Sequence, residues 1–273
     1  MEYYRFTIKV AEAQREMALA FMSELPFDTF EETEEGLEAY LPEADYGPRL
    51  QAQLDAIIQQ LGLSYQREVV PYQNWNAVWE ASFEPIQVGQ FCGLRATFHP
   101  EMPGVQHEIV IDPEMAFGTG HHATTYMMIQ AMEQEQMQDA AVFDYGCGTG
   151  VLAILAAKMG AAEIDAVDIE DSAFERTQAN ALRNGAPQLK AYLGDLSVVP
   201  KRSYDIILAN INRNVILDSL PALYERLEAG GILLVSGILA ADQALVEQSA
   251  AAQGFKKSGS WRREDWCCLR FSK

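Results

Sequence analysis

The segment Asp144-Tyr145-Gly146-Cys147-Gly148-Thr149-Gly150 closes the apolar run from Ala140 to Phe143 and opens a helix-like run from Val151 to Met159. That is the pattern of a strand, a glycine turn and a helix. Glycines at alternate positions let the backbone reverse tightly and bring a ligand against main-chain N–H groups, where a Cβ would collide. Asp168 closes the next apolar run, 22 positions after Gly146. A carboxylate at the tip of the second strand of a βαβ unit can hold two ribose hydroxyls. Turn and acid together predict a site for a nucleoside-containing cofactor. The plainer alternative is a glycine-rich loop serving only strand–helix packing.

The spacing narrows the choice of cofactor. A nicotinamide fingerprint needs G-x-G-x-x-G, but position 151 is valine and the glycines fall as G-x-G-x-G. A phosphate-cradling G-x-x-x-x-G-K-[ST] is ruled out because no lysine follows Gly150 until Lys158. The pattern resembles the first motif of the S-adenosylmethionine-dependent methyltransferases, whose turn meets an amino-acid-bearing nucleoside without phosphate.

From Ala140 onward the chain alternates between strand and helix. Strands are predicted at 140–144, 163–168, 189–193, 204–209 and 231–236, with Phe255 to Gly259 and Trp266 to Phe271 as a closing antiparallel hairpin. Repeated βα units require a mostly parallel sheet covered on both faces. The hairpin is foreign to a dinucleotide dehydrogenase and typical of the methyltransferase fold. The expected class is therefore α/β, a Rossmann-like seven-stranded sheet of the class I methyltransferase type.

Residues 1–70 read differently. Tyr3 to Val10 alternates as a strand, and Ala11 to Leu25 has helical spacing up to Pro26. Phe27 to Phe30 and Leu37 to Leu41 are strands, Pro48 to Leu61 a helix and Ser64 to Val70 a strand. The order β-α-β-β-α-β predicts a small α+β, ferredoxin-like domain. Residues 71–113 are expected to form a linker and middle region, with strands near Phe91 to Phe98 and Glu108 to Ile111 around a loop containing Pro100 and Pro103. In it Trp75, Trp79 and Phe83 recur every four residues, which suits an interdomain packing seam. Residues 114–273 complete the catalytic domain. There, Phe117-Gly118-Thr119-Gly120 forms a second glycine turn leading into a helix from His121 to about Glu135.

Composition restricts the partners. The formal net charge is −19, which disfavours nucleic acid as the main partner, because lysine and arginine supply that affinity. Nine acidic and no basic residues lie between Glu24 and Asp45. They suit a basic partner, or serve only as a solvated surface. No stretch approaches the roughly 18 consecutive apolar residues of a membrane span, and Met1-Glu2-Tyr3-Tyr4-Arg5 lacks the shape of a signal peptide, so a cytoplasmic protein is expected. Cys92, Cys147, Cys267 and Cys268 form neither a disulfide framework nor a C-x-x-C knuckle. His121-His122 is a poor metal pair, since adjacent helical residues point about 100° apart, and no metal is expected.

Over nearly its whole length the chain resembles the ribosomal protein L-eleven methyltransferases. The resemblance rests above all on Asp112-Pro113-Glu114-Met115-Ala116-Phe117-Gly118-Thr119-Gly120-His121-His122-Ala123-Thr124-Thr125, which ends 21 residues ahead of Gly146. Trp75, Trp79, Phe83 and Pro85, Ala209-Asn210, Ser236-Gly237-Ile238-Leu239 and Glu264-Asp265-Trp266-Cys267 match as well. The resemblance implies methyl transfer from S-adenosylmethionine, leaving S-adenosylhomocysteine, to lysine side-chain and N-terminal amines of that ribosomal protein. It also implies an N-terminal domain that holds the target, and the chain is expected to act as a monomer. The implied cofactor contacts are Thr125, Gly146, Asp168 and Asn210, with Gly148 in the same turn and Asn210 placed to orient the amine. Asp195 either accepts from the adenine amino group or only stabilises its turn. The run Ile211-Asn212-Arg213-Asn214 departs from the small or apolar residues usual there, and borders the place where the amine should arrive. Competing readings are a methyltransferase of this fold with another substrate, a non-catalytic ribosome-assembly factor, and an NAD-dependent oxidoreductase.

Overall fold

The computed structural model describes residues 3–33, 36–70, 84–111 and 122–273. The aromatic stripe Trp75, Trp79 and Phe83, and the segment from Asp112 to His121, lie outside the described residues. The chain divides into two compact units, Met1–Ser82 and Phe83–Lys273.

The first unit contains β1 (Tyr3–Lys9), α1 (Arg15–Met22), β2 (Thr29–Thr33), β3 (Gly36–Pro42), α2 (Pro48–Leu61) and β4 (Ser64–Val70). This is the expected element order, with β2 displaced two residues toward the C-terminus and α1 four residues shorter at its start. The strands pair antiparallel in the order β2-β3-β1-β4. Strand alternation puts Phe6 and Ile8 of β1 and Leu37, Ala39 and Leu41 of β3 on one face, and all five are buried. Helix α2 covers them with Leu50, Leu54 and Ile58, one turn apart. Pro48 at its first position and left-handed Gly62 just past its end (φ 65°) bound that helix.

The second unit opens with β5 (Ile86–Val88), β6 (Cys92–Ala96) and β7 (His107–Ile111). The two strands expected around the Pro100/Pro103 loop are present, but they run parallel, and β5 adds an antiparallel partner. Asn184 completes the edge of β7: its Oδ1 accepts from Val110 N at 2.9 Å and its Nδ2 donates to Val110 O at 2.7 Å.

The remaining elements are α3 (Ala123–Met132), β8 (Ala141–Tyr145), α4 (Val151–Lys158), β9 (Glu163–Asp168), α5 (Asp171–Arg183), β10 (Leu189–Leu193), β11 (Tyr204–Asn210), α6 (Arg213–Arg226), β12 (Leu227–Leu239), α7 (Gln243–Gln253), β13 (Lys256–Arg263) and β14 (Trp266–Ser272). Seven strands form one sheet in the order β10-β9-β8-β11-β12-β14-β13. The first five are parallel and β14 is antiparallel to both neighbours, so the closing hairpin is as expected. Both faces are covered. Val142, Ile164, Leu208 and Leu234 join the core formed with α3 and α4, while Phe143, Ile207 and Leu233 join the core formed with α6 and α7. Strand order reverses between β8 and β11, which opens a crevice at their carboxyl ends.

Candidate active site

The glycine turn emerges from β8 at that crevice. Gly146 has φ 75°, and a Cβ there would sit 2.1 Å from Cγ2 of Ile211, so the position admits only glycine without displacement of the neighbouring turn. The N–H groups of Gly146 and Cys147 both donate to Val167 O, at 2.8 and 3.1 Å. Helix α5 pins the turn from the other side. Thr177 Oγ1 donates to Gly148 O at 3.1 Å and Asn180 Nδ2 to Thr149 O at 3.0 Å, and both side chains are fully buried. A buried carbonyl without a partner costs about 1–3 kcal/mol, so these two contacts hold the loop in the shape that the glycines permit.

A cavity of about 610 Å³ opens over the turn, and its lining includes Thr125, Gly146, Gly148, Asp168 and Asn210. Five of the six residues expected from sequence therefore meet at one site, although Thr125 and Asn210 lie 85 positions apart. Asn210 Nδ2 donates to Thr125 Oγ1 at 3.2 Å. That bond orients the amide, leaving its oxygen to accept from an incoming N–H. Asp168 accepts from Gly148 N at 2.9 Å through Oδ2 and from Glu170 N at 3.1 Å through Oδ1. A carboxylate has about four lone-pair sites, so acceptor capacity remains for two hydroxyls.

Asp195 does not line the cavity. It is exposed, and its Oδ1 accepts from Ser197 N at 2.8 Å. The Ser197 hydrogen bonds hold its carboxyl below the usual aspartate value. Of the two roles open to it, the turn-stabilising one matches these contacts. Its neighbour Gly194 lines the cavity instead and donates from N to Asp168 O at 2.8 Å.

Three features of the site escaped sequence reasoning. Thr177 and Asn180 carry a signal in retrospect, being polar residues at the buried stripe that also holds Ala173 and Ala181. Trp266, from the hairpin, meets His122 edge to face, with ring centroids 4.7 Å apart, and both line the cavity. His122 accepts at Nδ1 from Thr124 N and caps α3. The third is Asp144, which is wholly buried at 1% exposure. Its Oδ2 accepts from Ala153 N at 3.1 Å, whereas Oδ1 has no hydrogen-bond partner. Burial, assisted by the negative charge of Asp168, pushes its carboxyl up to about 7. Burial likewise pushes the Cys147 thiol up, so it stays protonated and inert. Asn212 and Arg213 of the departing segment tie the next helix down. Asn212 Oδ1 accepts from Asn214 N at 2.9 Å and Arg213 Nη1 lies 2.9 Å from Asp242 Oδ1. Among the described residues no group of three or more His, Cys, Asp or Glu side chains is arranged to hold a metal ion.

The family model described as ribosomal protein L11 methyltransferase (PrmA) matches residues 6–273. The ribosomal protein L11 methyltransferase of Porphyromonas gingivalis is 36% identical, over 100% of this chain and 98% of that protein. That of Bacteroides thetaiotaomicron is 32% identical over 100% of both chains. Among solved structures, the ribosomal protein L11 methylase of Lactobacillus delbrueckii subsp. bulgaricus superposes with a TM-score of 0.64 at 29% identity, covering 70% of this chain and 99% of that one.

Proposed function

The chain belongs to the ribosomal protein L11 methyltransferase family, and from that premise we propose how its residues divide the work of methylating ribosomal protein L11. It is an S-adenosylmethionine-dependent protein methyltransferase, and the bound cofactor supplies a methyl group from its sulfonium. The cavity suits such a ligand: its volume of about 610 Å³ falls in the usual range for small-molecule sites, and the turn offers backbone rather than side chains. In this reading Asp168 accepts from the ribose hydroxyls, Gly146 and Gly148 admit close backbone approach, and Thr125 holds the amino-acid end.

The acceptors are lysine side-chain and N-terminal amines. With a reference pKa of about 10.4, only roughly one lysine in two thousand is neutral at pH 7, so a nucleophilic amine must first lose its proton. Transfer from water into the cavity lowers the amine's pKa, and Asn210 Oδ1, oriented by the bond to Thr125, holds the neutral nitrogen in line. The observation that carries this reading is the Asn210–Thr125 pair in the same cavity as Asp168 and the glycine turn.

The first unit, Met1–Ser82, holds the target. Its support is charge: residues 1–82 contain fifteen acidic and five basic residues, and a ribosomal protein is basic. On this reading the protein works in the cytoplasm as a monomer. Among the described residues no helix is long and apolar enough to cross a membrane.

The test is incubation with labelled S-adenosylmethionine and purified ribosomal proteins, followed by mass spectrometry. Label on lysines and the N-terminus of L11 is expected; label on RNA or on another protein would overturn the assignment. Asp168→Ala should abolish cofactor binding, while Asn210→Ala should lower turnover more than cofactor affinity. Removal of residues 1 to 66 should abolish L11 methylation with cofactor affinity nearly unchanged.

A further inference from the structure

Ile211 follows Asn210 directly at the end of β11, which lies between β8 and β12 in the sheet. On one side it meets the glycine turn, where any Cβ on Gly146 would run into its Cγ2. On the other it meets Gly237 of β12 (φ 83°), where an added Cβ would overlap Ile211 O and lie 2.8 Å from its carbonyl carbon and 3.1 Å from its nitrogen. Side chain and main chain are thus each held against a glycine. All three residues line the cavity.

Other left-handed glycines do not share this. Gly62, Gly104, Gly185 and Gly230 have open space where a Cβ would sit, so they answer only to their turns, whereas Gly146 and Gly237 are left-handed and also obstructed, both by one residue. The approach of Gly237 is built into the sheet. Pairing of β12 with β14 shifts register between Val235 and Ile238, and just there Ser236 O accepts from Ile211 N at 3.2 Å while the buried Ser236 hydroxyl donates to Cys267 O at 2.9 Å. Asn210 is therefore fixed twice. Its side chain is held by Thr125 at 3.2 Å, and its main chain, paired with Ser236, runs straight into the residue lodged between the two glycines.

We propose that Ile211 is a positioning residue, a wedge between Gly146 and Gly237 that fixes the Asn210 amide relative to the glycine turn and so sets the distance from methyl donor to acceptor amine. This rests on the methyl-transfer reading of the cavity and adds a residue to it. The Ile211 side chain carries no polar atom, so its effect is geometric. A misplacement of about 1 Å between reacting groups costs on the order of a hundredfold in rate, and packed neighbours without slack prevent it.

Steady-state methylation of L11 by the full-length protein, together with calorimetric affinity for S-adenosylhomocysteine, tests this. Ile211→Ala should lower kcat by about tenfold or more, with KM for L11 and S-adenosylhomocysteine affinity changed by less than about threefold. Ile211→Val, which keeps Cγ2, should recover most of that loss, whereas Ile211→Leu, which has the volume but no branch at Cβ, should not. Gly146→Ala should weaken S-adenosylhomocysteine less in the Ile211→Ala background than in wild type, by about threefold or more, because the added methyl then takes the place of the missing Cγ2. Unchanged kcat in Ile211→Ala, or a fall in affinity as large as that in kcat, would overturn the wedge. Equal kcat in the Val and Leu variants would do so even if the Ala variant failed to fold, as would strictly multiplicative effects of the Gly146 and Ile211 changes. Wild-type protein that binds S-adenosylhomocysteine but methylates no ribosomal protein would instead overturn the methyl-transfer reading beneath it.

Discussion

The two units handle polar groups in opposite ways. In the first, the described core from Phe6 to Ile58 is apolar and no described charged side chain is fully buried. In the second, buried polar side chains thread the core: Asp144, Asp165, Thr177, Asn180 and Ser236 among them. Residues 83–273 carry 24 acidic and 15 basic residues, a far milder imbalance per residue than the fifteen to five of residues 1–82. If the first unit holds its target through its exterior, as proposed, it needs only a stable scaffold and a surface field, which salt can screen. A unit that aligns a cofactor and an amine needs donors and acceptors fixed before they arrive, and fixing them means burying them with partners.

That contrast can be broken most forcefully at Asp165. This carboxylate, 2% exposed, accepts from Tyr204 at 2.8 Å, Tyr192 at 3.1 Å and Arg202 at 2.9 Å. Asp165→Ala should cost about 3–5 kcal/mol in urea denaturation, because three donors lose their acceptor and Arg202 keeps only its exposed partner Glu163. A cost below about 1 kcal/mol would mean that the buried network contributes little.

Gly146→Ala comes next. A left-handed backbone at a residue with a side chain costs about 1–3 kcal/mol, and the added methyl meets Ile211. Cofactor affinity, read by calorimetry, should fall more steeply than global stability, since the strain is confined to the turn.

Thr177→Val keeps shape but removes the donor to Gly148 O. Destabilisation of about 1–3 kcal/mol is expected, with weaker cofactor binding as the sign that the turn has loosened.

Ligand-free protein should also show the cost of burying Asp144. Its folded pKa, about 7, lies above its ordinary value of 3.8. Its favourable contribution is therefore complete below 3.8 and lost as pH rises to about 7. The melting temperature of wild type relative to Asp144→Asn should fall across that window, and a pH-independent difference would refute the assignment of the buried proton.

The smallest effect on folding belongs to the first unit. Glu24→Gln, Glu31→Gln and Asp45→Asn together, all exposed, should change stability by within about 0.5 kcal/mol per site. They should nevertheless weaken binding to ribosomal protein L11 and flatten its salt dependence. Unchanged binding would reduce the acidic run to a solubilising surface.

How much of this was legible beforehand follows from the range of each interaction. Strands and helices recur at periods of two and 3.6 residues, so β8 through β14 and the β-α-β-β-α-β order could be read from local pattern. Boundaries were less legible: β2 begins at Thr29 rather than Phe27, because its register is set by pairing with Gly36–Pro42. The direction of β6 against β7 was likewise invisible, since a ten-residue connection serves either pairing.

By itself the sequence determined that a turn of alternating glycines would leave the first strand of the parallel sheet, that Asp168 would close the next strand beside it, and which family the chain belongs to. These are short-range facts, written in the spacing of a few residues. Only the tertiary structure decided that Asn210 is oriented by Thr125, that Thr177 and Asn180 pin the turn, and that Asp195 accepts from Ser197 outside the cavity lining. It alone left Asp144 buried with one oxygen unmet. Each of these depends on which groups are excluded from water together, and burial is a property of the packed chain rather than of any segment in it.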